Sequence, residues 1–101
     1  MPEIPETVVI VTEALEGDAV ERWGRLIADA VALRPHLLVI DLRRCPLVDA
    51  AAITVLLWAH RAMVHAGGRL TLRAPDGRVR RTLRLARLEQ VFEVETGVVP
   101  A

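Results

Sequence analysis

His36-Leu37-Leu38-Val39-Ile40-Asp41-Leu42 runs through Arg43-Arg44-Cys45-Pro46-Leu47-Val48-Asp49 into Ala50-Ala51-Ala52-Ile53-Thr54-Val55-Leu56-Leu57-Trp58. The first run is apolar at successive positions, the pattern of a strand covered on both faces. The second is a connecting loop, and Asp49 stands where a helix N-cap belongs. From Ala50 to Ala66 apolar residues recur at helical spacing. Ile53, Leu56, Leu57, His60, Met63 and Val64 read as the core-facing stripe, with Val55, Trp58 and Ala62 opposite. Gly67-Gly68 ends the helix, since glycine readily takes the left-handed C-terminal position.

Upstream, Thr7-Val8-Val9-Ile10-Val11-Thr12 is β-branched almost throughout, a strand by composition. Asp18, with Glu21 three residues on, reads as the capping box of a helix whose apolar face is Val20, Trp23, Ile27, Ala30 and Val31. Arg34-Pro35 closes it, because the residue before proline avoids the helical region. Downstream, Leu70-Thr71-Leu72 is a short strand. Pro75-Asp76-Gly77 opens a helix with the stripe Val79, Leu83 and Ala86, and Val91-Phe92-Glu93-Val94 is a last strand. Residues 1–6 read as an irregular lead-in and 97–101 as a loose end. Strands alternating with helices over short links predict an α/β domain. The expected sheet is four-stranded, mixed but mostly parallel, with packed helices.

With 101 residues the chain is one domain's worth. Aromatic content of 3% leaves the core to Leu, Val, Ile and Ala. Formal net charge is zero, so the whole molecule has no electrostatic bias towards nucleic acid. The charge is uneven: Glu3, Glu6, Glu13, Glu16, Asp18, Glu21 and Asp29 crowd the first third. Arg69, Arg73, Arg78, Arg80, Arg81, Arg84 and Arg87 crowd the last. The arginines from Arg78 onward have no interleaved aromatic to stack bases, and a solvated helix face is the plainer reading. The N-terminus shows no basic n-region or apolar run of a signal peptide. No stretch approaches the roughly 18 apolar residues of a membrane span. A cytoplasmic bacterial protein without membrane insertion is expected.

The chemistry of catalysis is sparse. There is no GxGxxG or GxxxxGK[ST] phosphate loop, so no nucleotide cofactor is expected. No serine occurs, which excludes a Ser–His–Asp triad. His60 and His65 are five apart and do not share a helix face as zinc ligands would, so no metal is expected. Cys45 is the only cysteine, which excludes an intramolecular disulfide. Paired with a histidine it would make a nucleophile. Asp41 and Asp49 bracket one loop at the carboxyl end of a strand, where α/β proteins place their sites. The plainer readings are a packed thiol, a strand end and a helix cap, so an enzyme is the weakest alternative.

The order of these pieces, from Leu37 to about Phe92, resembles the STAS family of anti-sigma factor antagonists and transporter-attached domains. Leu38-Val39-Ile40-Asp41-Leu42 is similar to the family's V-x-D-L strand. Gly67-Gly68-Arg69-Leu70-Thr71-Leu72 is similar to its G-G-x-L-x-L passage, and Leu88-Glu89-Gln90-Val91-Phe92 to its closing L-x-x-[VL]-F. The signature D-S-[ST]-G-[LI] stands here as Asp49-Ala50-Ala51-Ala52-Ile53. The resemblance implies a single non-catalytic domain over 1–101, binding a protein partner, an anti-sigma factor that is also a serine kinase, and regulating transcription. It also implies that this helix meets the partner, and Val55, Trp58 and Ala62, opposite the core stripe on the helical wheel, are the expected contact surface.

In the family, phosphorylation of the serine after the aspartate breaks the complex. A phosphate suits a helix N-terminus and repels an acidic or apolar partner. Here that position is Ala50, followed by Ala51, so the usual switch is absent. Thr54, where the family often has glycine, is the nearest substitute acceptor, an ordinary helix threonine being the plainer reading. The family's glycine after the third helix is Arg87, and the strand preceding the first is missing or very short. The resemblance equally implies an alternative, an accessory subunit of a membrane transport complex.

Overall fold

The computed structural model describes residues 4–96. Strands and helices alternate: β1 (Glu6–Ile10), α1 (Asp18–Ala32), β2 (Leu37–Asp41), α2 (Ala50–His65), β3 (Arg69–Arg73), α3 (Gly77–Leu85) and β4 (Glu93–Glu95). The expected elements are all present, with small shifts of their ends. Glu6, expected in the lead-in, pairs in β1, whereas Thr12 lies outside it. Val91 and Phe92 precede β4. Among the described residues no strand precedes β1, and the expected loose end at 97–101 lies outside them.

The sheet has the order β1-β2-β3-β4 and every described pairing is parallel, so the mixed sheet of expectation is a parallel one. Val8 pairs with Val39, and Val39 with Thr71. Strands laid side by side in chain order through right-handed crossovers place their helices on one face. Val11, Leu38, Ile40, Leu42, Leu70 and Leu72 point there and share one core with Ile27, Leu56, Met63, Val79 and Leu83. The two-sided cover expected for β2 is therefore helical on one side only. On the other, Val39 and Thr71 are buried. They lie among the ion pairs of Arg69 with Glu93 and of Arg73 with Glu6 and Glu95.

Two helix faces differ from expectation. The buried stripe of α2 is Ala52, Leu56, Ala59 and Met63, whereas Val64 is 56% exposed and Ile53, Leu57 and His60 are half-buried. The helix is apolar almost all round, so its periodicity points weakly. The small Ala52 and Ala59 are buried in the shared core, where short side chains take little room. Ala86, read as core, is the exposed C-cap of α3.

All three helices stop through the left-handed conformation. Gly67, at φ 85°, follows α2, and the Gly67 and Gly68 amides donate to the Val64 and Met63 carbonyls at 3.0 and 2.8 Å. Those paired bonds satisfy carbonyls that a helix end otherwise orphans. Arg87, at φ 60°, closes α3 by the same pattern, its amide and that of Leu88 donating to Arg84 and Leu83 at 3.0 and 2.8 Å. Arg34, at φ 53°, closes α1.

Candidate functional site

The loops before α1 and α2 are stitched together. The Leu15 amide donates to the Leu47 carbonyl at 2.8 Å, and the Asp49 amide donates to the Leu15 carbonyl at 3.0 Å. Asp49 caps α2 as expected, its Oδ1 accepting from the Ala52 amide at 2.8 Å. Its Oδ2 accepts from the Gly17 amide at 3.2 Å, across 32 residues of sequence. One carboxylate thus holds the N-termini of two helices in register. The capping box expected from Asp18 and Glu21 does not form. Gly17, at φ 55°, is the N-cap, Asp18 is the first helical residue, and Asp49 supplies the acceptor.

From that junction a shallow apolar groove of about 650 Å³ runs between α1 and α2. Val20, Gly24 and Ala28 form one wall and Ala51, Thr54, Val55 and Trp58 the other. Gly24 faces Val55 across the groove, where a Cβ would sit in ordinary van der Waals contact at 3.7 Å from a Val55 methyl. Trp58 is 48% exposed on the rim. Glu21 and Arg25, joined at 2.8 Å, border the α1 side.

The predicted site residues divide accordingly. Ala50 and Ala51 are exposed at the start of α2, and Ala51 lines the groove. Ala52 is buried beneath them and Ile53 packs against the core. Thr54 is exposed on the groove wall and its hydroxyl donates to the Ala50 carbonyl at 3.1 Å. Val55 and Trp58 line the groove together, although Val55 flanks the core where the sequence placed it opposite. Ala62, one turn further, is half-buried outside the lining. Sequence reasoning missed the α1 wall. Gly24 and Ala28 are its signal, small residues at i, i+4 that share one helix face and leave a shallow surface there.

The groups weighed for catalysis hold structural bonds. Asp41 accepts from the Arg43 amide at 2.9 Å, and Asp49 is occupied by its two amides. The Cys45 thiol donates to the Leu47 carbonyl at 3.3 Å in the interior, and burial pushes its pKa above the usual 9.0. Such a thiol is protonated at neutral pH and poorly nucleophilic. No cluster of His, Cys, Asp and Glu among the described residues is arranged to hold a metal ion.

A family model for the STAS domain matches residues 1–101. The chain belongs to the STAS domain family. Its fold is shared with a crystallised Thermotoga maritima protein assigned as an anti-sigma factor antagonist. The two are 18% identical with a TM-score of 0.75, over 87% of this chain and 78% of that one. An NMR structure of the same Thermotoga maritima protein gives 19% identity and a TM-score of 0.68, over 86% and 72% of the two chains. No curated protein matches the chain. No helix among the described residues is long and apolar enough to cross a membrane.

Proposed function

We propose that this STAS domain is a non-catalytic regulatory module that binds a protein partner along the α1–α2 groove. The partner is an anti-sigma factor with serine kinase activity, and the complex forms without a phosphoryl switch. The observation that carries the reading is the groove itself. Its Ala51 wall starts one residue from Ala50, the acceptor position, and Trp58 stands half-exposed on the same rim. Tryptophan at the edge of an apolar groove is a typical interface anchor. A phosphate at residue 50 would add about two negative charges at the mouth of that groove. Alanine carries none, so the surface stays apolar whatever kinase is present.

The test is capture from the native cell extract, wild type beside Trp58→Ala and Ala50→Ser, each with and without ATP. Wild type should retain an anti-sigma kinase that ATP does not release. Trp58→Ala should lose it, and Ala50→Ser should bind it and let it go when ATP is added. Release of wild type by ATP, with phosphate on Thr54, would overturn the non-switching reading. Recovery of transporter components in place of the kinase would replace the partner.

A further inference from the structure

The α3 surface is distinct from the groove, since α3 joins β3 to β4 whereas α1 and α2 lie over β1 to β3. Arg78, Arg80, Arg81, Arg84 and Arg87 are all exposed there. Only Arg84 has a carboxylate partner among the described residues, Glu89 at 3.3 Å. On a helical wheel Arg78, Arg81 and Leu85 share the outward direction, while Val79 and Leu83 face the core. Leu85 is 76% exposed, the most of any large apolar side chain described. Beside it, Arg84, Arg87, Glu89 and Gln90 line a shallow recess of about 310 Å³.

We infer that α3 is a docking surface for an anionic lipid membrane, with the arginines on headgroup phosphates and Leu85 at the acyl boundary. Clustered arginines match phosphate geometry through their planar forks. A cluster of four to eight basic residues on an amphipathic helix is the charge density that an anionic leaflet attracts. Leu85 favours lipid over a polyanion that carries no apolar groups. A sugar–phosphate backbone gives an outward leucine nothing apolar to bury, whereas a lipid surface offers phosphate and hydrocarbon together. Nor do the arginines stand with a base-stacking aromatic: Phe92 is buried, and Trp23 and Trp58 belong to α1 and α2. The contact is peripheral and reversible, because one leucine is a short anchor.

The test is co-sedimentation of the full chain with vesicles of phosphatidylcholine, alone or with phosphatidylglycerol as roughly a third of the lipid. The bound fraction should be about tenfold higher on the anionic vesicles at low salt and fall to the neutral level at about 0.5 M salt. Leu85→Ser and the pair Arg78→Gln with Arg81→Gln should each reduce binding several-fold, with unfolding midpoints unchanged because all three side chains are solvent-exposed. Equal binding to neutral vesicles, or none to either, would overturn the inference. So would arginine-dependent binding to the anionic vesicles that Leu85→Ser leaves intact, which would mean electrostatic attraction with no acyl contact.

Discussion

Asp49 carries the heaviest single-residue duty in the site. Its two oxygens satisfy one amide at the start of each of two helices, at 2.8 and 3.2 Å. Losing a side-chain cap costs about 1 kcal/mol, and up to about 2 in tight contexts. Asp49→Ala should therefore lower stability by roughly 1–2 kcal/mol. Asp49→Asn, which keeps one carbonyl acceptor, should lose less; urea midpoints at constant m-value order the two. Glu13 makes a smaller, pH-dependent contribution. Hydrogen bonds from the Trp23 indole at 2.8 Å and from Arg22 at 3.0 Å hold its carboxyl below its ordinary 4.5, Trp23 being the stronger cause. A depressed folded pKa means stabilisation that is complete at neutral pH, above the unfolded value, and lost as pH falls through the folded one. Trp23→Phe should raise the Glu13 pKa towards 4.5 in an NMR titration. It should also flatten the acid limb of the stability profile. An unmoved pKa would mean that Arg22 alone suffices.

At the scale of elements, the helix ends separate what the chain encodes openly from what it conceals. Gly67-Gly68 announces the end of α2, and Gly68 is confined as well. A Cβ there would come within 2.8 Å of the Met63 methyl and 2.9 Å of the Pro35 carbonyl. Arg87 makes the same turn after α3 without glycine, its hydrogen bonds matching those of Gly67-Gly68. A left-handed non-glycine residue costs about 1–2 kcal/mol, and glycine gives back about 0.5–1 through unfolded-chain entropy. Arg87→Gly should therefore stabilise the domain by roughly 0.5–1 kcal/mol, read as a raised unfolding midpoint. A lowered midpoint would mean that the arginine side chain holds the turn. The same contrast explains what was legible. β2, the Asp49 cap and the α1 stripe follow from apolar runs, a short acceptor side chain and clear periodicity. The α2 face did not, because Ala52 and Ala59 carry little hydrophobic signal although both are buried in the core. The groove was half legible: Trp58 and Val55 stood out, while Gly24 and Ala28 are too small to look like a binding wall. The Gly17–Asp49 bond spans the β1–α1 and β2–α2 loops, and no local pattern reports a contact of that separation.

For the whole molecule, the decisive feature is that one core draws on every helix. Ile27 from α1, Leu56 and Met63 from α2 and Val79 and Leu83 from α3 meet Leu38, Ile40, Leu70 and Leu72 of the sheet. Removing any helix would expose the apolar face shared by the other two, which favours a single cooperative transition in a domain of this size. Both tryptophans lie in the helix layer, Trp23 on α1 and Trp58 on α2, so replacing one isolates the other as a local probe. In Trp58→Phe, the Trp23 fluorescence and the far-UV circular dichroism should trace the same urea curve. Leu56 is wholly buried, and Leu56→Ala should cost about 2–5 kcal/mol. Against a total of about 5–15 kcal/mol that is a large share, and it should move both curves by the same amount. If Trp23 fluorescence melted ahead of the dichroism, α1 would be detaching on its own. The groove wall it provides would then be a separately opening element, and the binding proposed at Trp58 would stabilise α1 ahead of the sheet.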